Sequence, residues 1–208
     1  MTNKRRIVGS LAFLLAAVVM VPTLTGRYTA NKTTVHELAP GVFFRKTQVK
    51  PEFIGCNQGW VIFKDFVLVI DANFPNQAEK VIELIREQTD KPIKYIFDTH
   101  YHGDHADGNA IFKKLGATAI ASQRSRGEFE TKGIAGFESS KRIKPDEYGK
   151  LDYVYPTIYF PQRMILDDGE MRVELIWSGH AHTMGDAVAW LPRQGILFTG
   201  DSIVNGAF

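Results

Sequence analysis

The sequence predicts an α/β fold in which helices cover sheets, and three features carry that reading. Strand-like and helix-like stretches alternate from about Val42 to Ser122. A run of four strands follows later with no helix between them, which excludes a simple doubly wound sheet. Three apolar strands end in residues able to bind metal, at the edge where open α/β folds build their sites.

In chain order, GWVIFKDFVLVIDANF reads as a hairpin of two β-branched and aromatic runs, turning near Lys64-Asp65 and ending at Asp71. PNQAEKVIELIREQT reads as a helix. Ala78, Val81, Ile82 and Ile85 share one face, Pro75 suits the first turn, and Lys91-Pro92 stops it. IKYIFDT is a short strand, a helix starts near Asp107 and stops at Gly116, and ATAIAS is the next strand. From Gln123 to about Pro156 the periodicity fails, in a stretch too long for a structureless connection. It either hides short helices or forms a functional insertion, at the rim of a pocket or on the surface. IYFPQRMIL, MRVELIW, AVAWL and GILFTGD are the four closing strands.

The length of 208 residues fits one domain. A net charge of +2, with the basic residues scattered, argues against a nucleic-acid partner. The single cysteine, Cys56, cannot form an intramolecular disulfide and reads as a small buried hydrophobe. The N-terminus is basic (MTNKRR) and then uncharged from Ile7 to Leu24, the pattern of an export signal or an uncleaved membrane anchor. Residues 1–26 are therefore set apart from a domain spanning 27–208, and the expected location is periplasmic, secreted, or anchored facing outside.

THYHGDHADG, Thr99 to Gly108, holds three of the six histidines. On a continuing strand His100 and His102 would share a face, and Gly103 would let Asp104 and His105 turn back toward them. Imidazole and carboxylate suit Zn²⁺, so these four groups begin one metal site or two adjacent ones. WSGHAHTMGD adds His180 and His182 after a strand, and LFTGD adds Asp201 after another.

Taken together, THYHGDH, GHAHTMGD, LFTGD and the earlier VLVIDANF resemble the signatures of the metallo-β-lactamase fold superfamily, from about Val42 onward. The resemblance implies a four-layer αβ/βα sandwich with a two-metal site, usually zinc. It would give His100, His102 and His182 to the first metal. Asp104 and His105 would hold the second, with Asp201 bridging both or binding the second. Asp71 would be a structural neighbour of the ligand loop, and His180 would have no ligand role. Asp98 and Asp186 would hold loop backbone or orient histidines.

A divalent metal lowers the pKa of bound water from about 15.7 to roughly 7, and Asp104 is the candidate to orient that nucleophile and shuttle its proton. With no G-x-S-x-G motif and none around Cys56, the expected reaction is metal-assisted hydrolysis of an ester, thioester, lactone or amide. A phosphate or sulfate ester is the outlying substrate. The WLPRQGILF run resembles β-lactamases, whose most similar members carry cysteine at the position of Asp201. The aspartate resembles glyoxalase-II-like and lactonase members better. An iron-dependent redox member and a catalytically impaired relic are the alternatives of other classes. The family supplies a further histidine well past the bridging aspartate, and none follows His182 here. The expectation is therefore a sequence that continues, with the second half of the fold incomplete and the second of two zinc ions held more weakly.

Overall fold

The computed structural model describes residues 34–50 and 53–204. The expected export segment, residues 1–26, lies outside them. Among the described residues no helix is long and apolar enough to cross a membrane.

The first sheet opens with β1 (Thr34–Ala39), β2 (Val42–Lys46), β5 (Gln58–Ile62) and β6 (Val67–Ile70), antiparallel throughout; the short pair β3 (Gln48–Lys50) and β4 (Phe53–Ile54) lies between β2 and β5 in sequence. It continues in parallel through β7 (Ile93–Phe97), β8 (Thr118–Ser122) and β9 (Ile158–Phe160), for seven strands in the order β1-β2-β5-β6-β7-β8-β9. The change to parallel pairing requires crossovers. Helix α1 (Pro75–Gln88) makes the first; α2 (Gly103–Ala106) and α3 (Asn109–Lys113) make the second. A second sheet is antiparallel: β10 (Arg163–Asp167), β11 (Arg172–Trp177), β12 (Ala187–Leu191) and β13 (Ile196–Phe198).

Helix α1 forms where the spacing predicts it. Pro75 occupies the first turn, and Ala78, Val81 and Ile85 are fully buried against the first sheet. Each such Val or Ile stabilises the fold by roughly 1.5–3 kcal/mol. A second core lies between the sheets, where Leu68, Ile70, Phe97 and Ile120 meet Val173, Leu175, Ala189 and Leu191. Helices, seven-stranded sheet and four-stranded sheet are thus successive layers of the expected sandwich. On the other face of the second sheet Ile165 and Leu197 are exposed.

One expectation is corrected, and one left open is decided for the short helices. IYFPQRMIL is not one strand: Pro161-Gln162 interrupts it, so β9 ends the first sheet and β10 begins the second. Gln123 to Pro156 is mostly helical, with a 3₁₀ turn (Gln123–Ser125), α4 (Arg126–Glu128), a π-helical turn (Phe129–Gly133), α5 (Ile134–Ile143) and α6 (Pro145–Tyr148). It packs inward through Phe129, Phe137 and Tyr148.

Candidate metal centre

The segments bearing the candidate ligands meet at one edge of the sandwich. Strand β7 stops at Phe97, and the Asp98 N–H bonds to Ile120 O, so Thr99–His102 is a loop rather than the strand expected for it. His102 is the N-cap of α2, which carries Asp104 and His105 in its single turn. His182 comes from the β11–β12 loop, and Asp201 from a 3₁₀ turn (Gly200–Ser202) after β13. The Ala187 N–H donates to Thr99 O at 3.0 Å and joins the edges of the two sheets here.

All six predicted residues come together. His102 Nδ1 lies 3.1 Å from His100 Nε2 and 3.0 Å from His182 Nε2. His105 Nε2 lies 3.3 Å from Asp201 Oδ1 and 3.7 Å from Asp104 Oδ2. Asp201 Oδ2 also stands 3.7 Å from His182 Nε2, which connects the two halves. His180 is exposed on the loop, and His36 is exposed on β1.

His105 is held at both its backbone and its ring. Its carbonyl accepts the N–H groups of Ala72 at 2.6 Å and Asn73 at 3.1 Å. Its Nδ1 faces Asp71 Oδ2 at 3.0 Å, and Nε2 is left pointing toward Asp201. Asp71 in turn accepts the Thr99 N–H and hydroxyl, both at 2.9 Å on Oδ1. Asp71 and Asn73 have φ of 63° and 61°, a left-handed bend that returns the chain to its own site. On the other side, the buried Asp186 carboxylate accepts the N–H groups of Ala181 and Thr183 and the Thr183 hydroxyl, at 2.6–3.2 Å, and fixes the backbone around His182. Asp98 accepts from Asn109 Nδ2 at 2.7 Å and so ties the start of the ligand loop to α3.

The electrostatics suit a cation. Burial and the surrounding imidazoles push the His100 pKa far down, and burial with His182 beside it lowers that of His102. Both rings are therefore neutral at pH 7, each with one nitrogen free of a proton and able to bind an ion. Asp201 is held below the usual carboxylate range by the His105 ring 3.3 Å away. Burial opposes charge on His105, but the Asp71 and Asp201 carboxylates against its ring hold its pKa well above the usual value.

A metal fits this donor set. The nitrogens of His100, His102 and His182 lie within 4.8 Å of one another. Two nitrogens on a tetrahedral zinc stand roughly 3.3 Å apart, close to the spacings seen. His105 Nε2 is buried and makes no well-formed hydrogen bond, facing only Asp201 Oδ1 at 3.3 Å and Asp104 Oδ2 at 3.7 Å, a set of donors that an ion would satisfy. His100, His105 and Asp201 form a second such group.

One neighbour escaped the sequence. Cys56, read as a buried hydrophobe, is buried, but its Sγ also lies 3.3 Å from His105 Nδ1. Burial pushes its thiol up to about 12, so it stays protonated at neutral pH. No motif surrounds it, and the two residues are 49 positions apart.

Comparison with known proteins gives one family. Residues 52–208 match the model of the metallo-beta-lactamase superfamily. A metallo-beta-lactamase type 2 from Bacillus cereus is 22% identical over 146 residues, covering 68% of this chain and 48% of that protein. One from Bacillus sp. (strain 170) is 25% identical over 142 residues, with the same coverage. The chain thus spans about half the length of these curated relatives. The solved metallo-beta-lactamase from Pontibacter korlensis superposes with a TM-score of 0.63 at 18% identity, over 81% of this chain and 71% of that one. At that identity the likeness shows the fold alone.

Proposed function

Because this chain belongs to the metallo-beta-lactamase superfamily, we propose that it is a metal-dependent hydrolase of ester, thioester, lactone or amide bonds. The convergence of His100, His102 and His182, with His105 and Asp201 alongside, is the observation that carries the reading. The three histidines would hold a first zinc ion; Asp104, His105 and Asp201 would hold a second. When bound, such a metal supplies Lewis acidity and a water acidic enough to act as nucleophile at neutral pH.

The remaining work falls to the protein. Asp104 is 30% exposed at its side chain and points from α2 toward His105 Nε2. From there its carboxylate takes the proton of the attacking water as the carbonyl carbon–oxygen bond forms. It returns that proton to the departing alkoxide, thiolate or amine as the scissile bond breaks. Asp71 and Asp186 keep the His105 ring and the His182 loop in place, so little reorganisation is needed during reaction.

β-Lactam amides are the second substrate reading, favoured by the names of the curated relatives; the aspartate at 201 favours the broader carbonyl class. The basic and then apolar N-terminus supports export. The test is metal content together with a panel of ester, lactone, thioester and β-lactam substrates, in the parent protein and in His102→Ala. Turnover that needs metal and vanishes in His102→Ala is expected. Undiminished turnover in that variant would refute the metal mechanism.

A further inference from the structure

We infer that Arg124 is the recognition cation for a carboxylate carried by the substrate, a reading that rests on the hydrolase function proposed above. Arg124 lies in the 3₁₀ turn (Gln123–Ser125) that directly follows β8. Strand β8 is the parallel neighbour of β7, so this turn and the His100 loop leave the same edge of the sheet side by side.

The Arg124 guanidinium sits 5.1 Å from the centre of the Trp177 ring. It is exposed, and it makes no hydrogen bond or ion pair to any described residue. Its neighbours in the same segment differ: Arg126 is paired with Glu130 at 2.9 Å and Lys132 with Glu128 at 3.2 Å. A planar guanidinium with its donors free is the group that best matches a carboxylate, through two parallel hydrogen bonds. Stacking on an indole pre-orients it and reduces the entropy lost when an anion is captured.

Its platform belongs to the metal centre. Trp177 pairs with Ala187, whose N–H bonds to Thr99 O next to His100. The Trp177 Nε1–H donates to Met184 O at 3.3 Å, two residues past His182. The arginine's turn is also packed onto that loop: a Cβ on Gly185 would come within 2.3–2.4 Å of Ser125 atoms, so only glycine allows the contact. Arg124, Trp177 and the His182 loop therefore form one connected rim. A substrate carbonyl at the histidines and a carboxylate at Arg124 would then lie along this one rim.

The experiment compares two aryl esters on the zinc-loaded protein: 4-nitrophenyl hydrogen glutarate, with a free carboxylate, and its methyl-capped form. The parent protein is expected to favour the carboxylate form in kcat/KM. Arg124→Gln should lower that ratio roughly ten-fold, mainly through KM, and Arg124→Lys should retain part of it. An unchanged ratio in Arg124→Gln overturns the inference. If neither ester is hydrolysed by the parent protein, it is the hydrolase reading that fails for these bonds. Tryptophan fluorescence of the metal-free protein, titrated with monomethyl glutarate at low salt, then judges Arg124 alone. Saturable binding lost in Arg124→Gln supports the site; no binding, or equal binding in both proteins, overturns it.

Discussion

The Asp71 carboxylate reaches His105 Nδ1 at 3.0 Å from a left-handed turn, and the same carboxylate takes both the N–H and the hydroxyl of Thr99. One acidic group thereby sets the orientation of a candidate ligand ring and the path of the loop bearing His100. Asp71→Asn keeps the size and loses the charge. Metal affinity on the His105 side should fall about 10- to 100-fold, measured by competition with a chromophoric chelator. Affinity equal to that of the parent would remove Asp71 from this role.

Asp186→Ala leaves the N–H groups of Ala181 and Thr183 and the Thr183 hydroxyl without their acceptor. A stability loss of about 1–3 kcal/mol is expected from denaturant curves of the metal-free protein. Metal affinity should fall as well, further than in Val81→Ala, a core truncation remote from the loop. Equal affinities in the two variants would mean that Asp186 serves stability alone.

Gly200 has φ of 51°, and a Cβ there would lie 2.4 Å from Thr99 Oγ1. Gly200→Ala should therefore push Asp201 away from His105 and destabilise the protein by roughly 1–3 kcal/mol. The check is a thermal melt together with metal stoichiometry; a variant with parental values for both would refute the tight packing.

Asp168 ties the second sheet to the first, accepting the Lys64 N–H at 2.6 Å across 104 positions. Burial would raise its pKa, but the N–H groups of Lys64, Met171 and Glu170 outweigh that and hold it below the usual carboxylate value. A group depressed in the folded state contributes stability above its unfolded pKa, near 3.9, and loses it as pH falls through the folded value. The stability gap between the parent and Asp168→Asn should be full, at about 1 kcal/mol, at pH 7 and should close below about pH 4. A gap that widens in acid would contradict the assignment.

Metal removal should loosen the junction of the two sheets, because His100, His102 and His105 follow a strand of one and His182 and Asp201 follow strands of the other. At a free metal concentration 100 times Kd, binding adds about 2.7 kcal/mol. Dialysis against a chelator should therefore lower Tm by several degrees, and zinc should restore it. A melt indifferent to zinc would argue against the site.

The sequence made most of this legible because its signals are local. Pro75 with Ala78, Val81 and Ile85 fixes α1, and the β-branched runs around Lys64-Asp65 fix the β5–β6 hairpin. The six ligand candidates stand out because histidine and aspartate cluster at strand ends. Gln123–Pro156 was opaque because a π turn at Phe129–Gly133 shifts the helical repeat, so no 3.6-residue pattern spans it. Cys56 beside His105 was invisible, since only the tertiary fold brings them together.

His102 and His182 touch across 80 positions of chain, and no local segment contains the whole centre. A collapsed chain with every strand formed but its sheets undocked would keep the His100–His105 loop and lack His182 and Asp201. Occupancy of the proposed His100–His102–His182 site would therefore report docking of the two sheets rather than secondary structure, and the closure of so long a loop would place it late in folding.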